Sequence, residues 1–372
     1  MAPTNEAVWL SAKKASTFEI NPARYPTPND YEVVVQSHAI ALNLIDYAMQ
    51  DAGHLVAPWV KYPFIPGSDV AGTVTEVGSK VTQFKTGDRV VGLATSVDKM
   101  STGAREGGFQ KFGVIQENCC SVIPDSLSYT DASVLPMGIS TAASGLFTKE
   151  YCGLSYPTTN TKSTGQTFLV WGASTSVGCN AVQLVKAAGY EVVATTSSRN
   201  FEYIKQLGAS HVFDYKDPKT PQAIIDLLTG TTCAGALAAG HGSSEACIDI
   251  LGALPSSTCK RFVAQCTVPG GSPPKAKCEF VGFVAKYLAN SASLALKARL
   301  NGVTLNLIWG TDLRNSEVGS AIFRDFLPLA LSRGEYLAAP SAEVVGDGLV
   351  AIEGGLEKLR GGVSLKKLVV TI

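Results

Sequence analysis

Net charge is the first thing this chain of 372 residues lacks: 31 lysines and arginines stand against 31 aspartates and glutamates. With no basic excess and no basic run, there is no reason to expect nucleic acid or an anionic membrane as partner. No apolar stretch reaches the roughly 20 residues of a membrane span. The opening MAPTNEAVWL has no signal-peptide core. Nine cysteines, at 119, 120, 152, 179, 233, 247, 259, 266 and 278, include no C-x-x-C pair. An odd count without a secretion signal predicts reduced thiols and a cytoplasmic enzyme. Histidine is scarce, and His38, His54, His211 and His241 do not group with cysteines at zinc-ligand spacing. Each reads as a surface or packed histidine. Internal repeats and heptads are missing as well.

The strict G-x-G-x-x-G is also absent, yet Thr167 to Gly178, TFLVWGASTSVG, carries its physical content. The apolar run Phe168, Leu169, Val170, Trp171 reads as a strand that stops at Gly172. Val177, Ala181, Val182, Leu184, Val185 and Ala188 then recur at helical spacing, and Gly189 closes the helix. A second strand from Glu191 to Thr195 completes a βαβ crossover, which requires a parallel sheet. Gly172 lets the backbone fold back, and Gly178 lets helix and strand approach. The first helical turn, around Val177, offers unpaired N–H groups and a dipole to a pyrophosphate. Ser174, Thr175 and Ser176 can add hydroxyl donors. An ordinary βα turn of another α/β protein is the alternative.

At the tip of the second strand, where a free ribose 2′-hydroxyl usually meets a carboxylate, the chain reads Thr195, Thr196, Ser197, Ser198, Arg199, Asn200. A guanidinium with hydroxyls suits a 2′-phosphate, so NADPH is favoured over NADH. Alternatively Arg199 is a solvated turn residue and Ser197 or Ser198 caps the next helix.

Residues 1 to about 125 read as short strands of a small irregular β-barrel (Ala7–Leu10, Phe18–Ile20, Tyr31–Ala41, Val70–Val77 and Arg89–Leu93), separated by Gly, Pro, Asn and Asp clusters. Capped helices follow from Ser128. Beyond the crossover, alternating helices and strands imply a doubly wound α/β sheet. An amphipathic helix (Ala321–Arg333), then a last helix (Val350–Leu359) and strand (Leu365–Ile372), close the sequence. Residues 1–127 with 320–372 are expected to form the substrate and catalytic domain, and 128–319 the nucleotide domain. Loops Met49–Tyr62, Thr95–Gly107 and Phe280–Leu288 are expected to wall the substrate pocket, with Gly103, Gly107 and Gly108 making the second one mobile.

Taken in order, Asn43-Leu-Ile-Asp46, PFIPGSDVAGTV (63–74), VGSKVTQFKTGDRVVG (77–92), LPMGISTAASGL (135–146), the GASTSVG turn, QLGASHVFDY (206–215) and LRGGVSLKKLVV resemble the medium-chain dehydrogenase/reductase superfamily over nearly the whole chain. The resemblance implies a Rossmann-type doubly wound parallel sheet plus a GroES-like irregular β-barrel domain. It is closest to the zinc-free quinone oxidoreductase and enoyl reductase branch. Zinc relatives carry a Cys near Leu44 and a G-H-E where this chain has Gly67-Ser68-Asp69, and no cysteine lies between Gly92 and Gly113. No metal is expected.

Within that branch the GAST turn, the GIST motif at 138–141 and the Ser-x-x-Asn tip at 197–200 are similar to fungal trans-acting enoyl reductases of polyketide biosynthesis. This implies Thr141 near the nicotinamide, the 174–176 hydroxyls at the diphosphate, Ser197 and Arg199 at the 2′-phosphate with Asn200 among the cofactor-binding residues, and Tyr215 against the adenosine. The implied reaction passes hydride from NADPH to the β-carbon of an α,β-unsaturated carbonyl or thioester in a cleft between the domains. Thr141 and Asn43 would place the ring, and Tyr47 or solvent would give the proton. The substrate would be a small molecule or carrier-protein-bound, with a polyketide synthase as partner and a monomer or homodimer as assembly. Two departures stand out: Ala48 replaces a family lysine that faces substrate, and Ala238 a common aspartate. A quinone or alkenal reductase of broader range, or a nucleotide-binding homologue turned to non-redox chemistry, remains the alternative. Asn43 and Asp46 have a structural alternative as residues that fix a loop through side-chain to backbone hydrogen bonds, the favoured reading for Asp46.

Overall fold

The computed structural model describes residues 3–13, 15, 17–267 and 277–372, without the side chains of His54 and of 277–281, so the Cys278 and His54 side chains lie outside the described residues. Two compact units are present. One runs to Ser140 and resumes at Thr311, and the other is Thr141–Gly310. Sequence reading set these limits at 127/128 and 319/320.

In the first unit β1 (Asn5–Trp9) and β2 (Glu19–Ala23) pair antiparallel. They precede β3 (Glu32–Ala41), α1 (Leu44–Val56), β4 (Asp69–Val77), β5 (Arg89–Leu93), β6 (Phe112–Gln116), β7 (Cys120–Val122), α2 (Tyr129–Ala132) and the start of α3 (Pro136–Phe147). β3 is buried on both faces, since Val33, Val34 and Val35 are all covered, and it pairs with both β4 and β6. As the capped-helix pattern predicts, Ser128 caps α2 by accepting from the Asp131 N–H at 3.0 Å.

The second unit contains β8 (Gln166–Trp171), α4 (Ser176–Ala187), β9 (Glu191–Thr196), α5 (Phe201–Gln206), β10 (His211–Asp214), α6 (Thr220–Leu228), β11 (Thr232–Ala238), α7 (Ser243–Ala253), β12 (Phe262–Gln265), α8 (Lys277–Leu300) and β13 (Thr304–Leu307). Among the described residues its six strands are all parallel and stand in the order β10-β9-β8-β11-β12-β13. In sequence rank that is 3-2-1-4-5-6, the order of dinucleotide-binding sheets, whose direction of winding reverses between β8 and β11. β8 runs apolar without alternation because helices cover both faces of such a sheet. Leu169 and Val263 pack on one side with Ile248, Ile250 and Leu251 of α7.

The chain then returns to the first unit with α9 (Glu317–Gly319), a π-helical turn (Ser320–Phe326), α10 (Leu327–Ser332), β14 (Ser341–Asp347), α11 (Ala351–Arg360) and β15 (Lys366–Thr371). β15 inserts between β14 and β3, giving the order β14-β15-β3-β4-β5-β7. A core of Ile40, Leu42, Leu356, Leu368 and Val370 fastens α11 across it.

Three sequence expectations need correction. Met49–Tyr62 is not wholly a loop: α1 covers it to Val56, started by Asn43 in extended conformation (φ −124°, ψ 157°) and bent where Ala52 leaves helical angles. Phe280–Leu288 is helical throughout, inside α8. Gly107 in the Thr95–Gly107 loop serves close packing rather than mobility, since a Cβ there would lie 2.1 Å from the Ile65 carbonyl oxygen.

Candidate functional site

In the second unit the chain turns sharply after β8. Gly172 has φ +83°, and a Cβ on it would sit 1.9 Å from the Ala239 carbonyl oxygen at the end of β11. Only glycine allows that approach. The Gly172 N–H donates to Thr195 Oγ1 (3.1 Å), and the Ala173 N–H donates to the Thr195 carbonyl (2.9 Å). The turn is thereby fixed to β9. A Cβ on Gly178 would lie 2.3 Å from the Gly172 carbonyl oxygen, so the second glycine admits α4 against the strand as its spacing predicts.

Thr175 is the N-cap of α4. Its hydroxyl donates to the Gly172 carbonyl (2.9 Å) and accepts from the Gly178 N–H (3.0 Å). Both directions of this hydroxyl are engaged within the turn, which makes Thr175 the organiser of the loop. Ser176 Oγ differs, being shielded and without a partner among the described residues. Ser174 beside it makes no side-chain hydrogen bond among them. An open helix terminus with Ser174 and Ser176 at the reversal of strand order fits a pyrophosphate.

At the end of β9 the short turn Ser198–Asn200 follows Ser197, whose side chain makes no capping bond. Arg199 is exposed, and Asn200 is buried with its amide 3.4 Å from Thr196 Oγ1. Tyr215 is exposed, and the Lys216 ammonium lies 5.9 Å from its ring centre. Sequence reading missed Asp214. It accepts from the Ser198 N–H at 3.2 Å and from the Lys216 N–H at 2.9 Å, and these bonds, the latter foremost, hold its carboxyl below the usual range. It belongs to the next strand, so it escapes a search of the β9 tip. Thr141 is buried in the second turn of α3, past any capping position.

The first unit carries the other expected residues. Tyr47 is buried among Ile40, Leu42 and Leu356, with the Arg360 guanidinium 4.5 Å from its ring centre. Ala48 packs against the same cluster. Asn43 occupies a charged niche that no sequence pattern announced. Its Oδ1 accepts from Lys367 Nζ at 2.5 Å, and its Nδ2 donates to Asp69 Oδ2 at 2.9 Å. Lys367 and Asp69 are themselves an ion pair at 2.9 Å, and Asp69 Oδ1 accepts from the Met137 N–H at 2.6 Å. A lysine 324 positions from Asn43 leaves no local signal.

Asp46 accepts from the Asn43 N–H at 2.8 Å, the loop-fixing role. Burial, joined by the Asp69 charge and opposed by Lys367 and the N–H bonds, pushes its carboxyl up to about 7. A value raised above the ordinary 3.8 means that this group's stabilisation is fully present below 3.8 and is lost as pH rises to the folded value of about 7. Wild-type melting temperature should therefore fall between about pH 4 and 7 and level off above, and Asp46→Asn should flatten that decline. An unchanged gap between variant and wild type across the range would refute it.

The nucleotide crevice of the doubly wound sheet in one unit, and the sheet of the other unit, antiparallel but for its parallel β14–β15 pair, define a dinucleotide-dependent oxidoreductase of two-unit design. Residues 29–125 match the alcohol dehydrogenase GroES-like domain, and residues 176–257 match the zinc-binding dehydrogenase family. A dehydrogenase, pigH, of Monascus ruber is 43% identical over 371 residues, covering all of both chains. A trans-enoyl reductase, himH, of Aspergillus japonicus is 33% identical, covering 99% of this chain and 97% of its own. The crystal structure of an alcohol dehydrogenase superfamily protein from Novosphingobium aromaticivorans superposes with a TM-score of 0.69 at 24% identity over the whole of both chains, which shows the fold. The chain belongs to the medium-chain dehydrogenase/reductase family, as an enoyl reductase- and quinone oxidoreductase-like oxidoreductase. Its cofactor is a nicotinamide dinucleotide. Among the described residues no three His, Cys, Asp or Glu side chains form a metal-holding group, and no helix is long and apolar enough to cross a membrane.

Proposed function

We propose that the chain is an NADPH-dependent, zinc-independent reductase acting on the C=C of an α,β-unsaturated carbonyl or thioester, working in trans on a carrier-bound polyketide. The observation that carries the cofactor half is the Gly172 turn against Ala239, with an open α4 terminus behind it. The substrate half rests on 33% identity over nearly the whole length to a protein named a trans-enoyl reductase.

When bound, the dihydronicotinamide supplies a hydride. Ser174, Ser176 and the first N–H groups of α4, including that of Val177, hold the diphosphate. Ser197 and Arg199 take the 2′-phosphate, with Asn200 bracing the turn and Tyr215 offering a ring to the adenosine. Thr141 helps to place the nicotinamide. Tyr47 is a packing residue under Arg360, so the proton at the α-carbon is assigned to solvent.

Arg199→Glu should turn the preference from NADPH to NADH, costing at least tenfold in NADPH affinity, because a carboxylate repels the 2′-phosphate and accepts from a 2′-hydroxyl. Fluorescence titration with both cofactors, followed by absorbance of the reduced nicotinamide with enoyl thioesters, enones and quinones, checks the reading. Equal affinity of the wild type for both cofactors would remove the 2′-phosphate assignment. Consumption on quinones alone would move the substrate away from enoyl groups.

A further inference from the structure

The chemistry of its neighbours fixes which end of the Asn43 carboxamide is which. Lys367 can only donate and faces Oδ1, whereas the Asp69 carboxylate can only accept and faces Nδ2. A flipped amide would set its N–H groups against an ammonium and its carbonyl against a carboxylate. Lys367 is 5% exposed and Asp69 fully buried, so the cost of a misoriented dipole is undiluted by water. One Nδ2 proton goes to Asp69. The other has no partner among the described residues, and 7% of Asn43 remains exposed.

We propose that this second N–H is the hydrogen-bond donor to the substrate's carbonyl oxygen, and that Lys367 and Asp69 are positioning residues that hold the amide so that it points outward. The proposal rests on the enone-reductase reading. As hydride forms the Cβ–H bond, the C=C pair shifts toward the carbonyl carbon and the carbonyl pair moves onto oxygen as an enolate. A solvent proton at Cα then restores the carbonyl. The oxygen gains charge in the transition state, where a preorganised donor helps most. Accepting from an ammonium polarises the carboxamide and strengthens its remaining N–H. The niche thereby supplies a donor that Ala48 cannot.

The test compares Asn43→Ala, Lys367→Met, Lys367→Arg and the Asn43/Lys367 double variant. Lys367→Met should lower kcat on an enoyl thioester roughly 10- to 100-fold with cofactor affinity unchanged, and Lys367→Arg should recover part of the loss. The double variant should be no slower than Asn43→Ala, because residues acting through one another are not additive. Should Lys367→Met fail to fold, Asp69→Asn with Lys367→Met removes both charges together.

Selective 15N-asparagine labelling gives a second readout, in which the carboxamide signals lost in Asn43→Ala must move in Lys367→Met. Unmoved signals overturn the positioning role whether or not the enzyme turns over. Multiplying kinetic losses overturn it as well. Wild type that oxidises no cofactor with any conjugated carbonyl sinks the reductase reading and the donor role with it, while the carboxamide signals still decide positioning.

Discussion

Gly172→Ala is expected to lower nicotinamide cofactor affinity by at least 100-fold, about 2.7 kcal/mol, and to destabilise the nucleotide unit. The left-handed backbone at φ +83° costs an alanine about 1–2 kcal/mol. The larger effect is steric. The new Cβ would stand 1.9 Å from the Ala239 backbone oxygen, which cannot rotate away as a side chain would, so the end of β11 has to move. That shift opens the turn that aims the α4 N–H groups. Gly230→Ala is the matched control: its φ is +86°, but nothing lies within 4 Å of the added carbon. It should show the strain in melting temperature and leave cofactor titration untouched. If Gly172→Ala bound cofactor as tightly as Gly230→Ala, the crevice would be in the wrong place.

Arg314→Met is expected to cost the first unit about 3–5 kcal/mol, the usual result of stranding one partner of a buried pair. Arg314 Nη1 lies 2.6 Å from Glu106 Oε2, with side chains 10% and 1% exposed. Thr95 and Thr102 hydroxyls complete the carboxylate's shell at 3.1 and 2.7 Å. Burial pushes the Glu106 carboxyl up, but the Thr102 hydroxyl and Arg314 outweigh it and hold it below 4.5. For a depressed value the stabilisation is present above the unfolded value and lost as pH falls through the folded one. The deficit of Arg314→Met should accordingly be largest at pH 7 and smaller at pH 4, on the way down to the depressed value at which Glu106 takes up its proton. Denaturant titrations at both pH values measure this, and adding Glu106→Gln should recover much of the loss. An equal deficit at both would mean that Arg314 acts through packing alone.

The legible parts of this chain were those encoded within a few residues of each other. β8, the glycine turn and α4 were readable because strand, turn and helix periodicities follow one another without a gap, and Gly172 and Gly178 behave as their spacing requires. α1 was missed because Ala52 breaks its helical angles, and because Asn43 and Asp46, its starting signal, also carried the family motif. β14 was missed because GDG after its valines looks like a turn; that turn simply follows the strand. The β9 tip showed hydroxyls and a guanidinium, whereas the Asp214 carboxylate beside it arrives by strand pairing. The Asn43 niche was out of reach for the same reason, since its charges come from β4 and β15.

That last separation bears on how the protein is made. Asn43 and Asp69 leave the ribosome early, but the strand carrying their cation is 324 positions behind Asn43. At about 5–20 residues per second the wait is roughly 15–65 s. During that interval Thr141–Gly310 is synthesised complete and can fold, while the earlier sheet lacks the strand between β14 and β3. Birth order thus makes the nucleotide unit the elder one, and leaves the Ala39–Ala41 end of β3 without its second neighbour until β15 arrives.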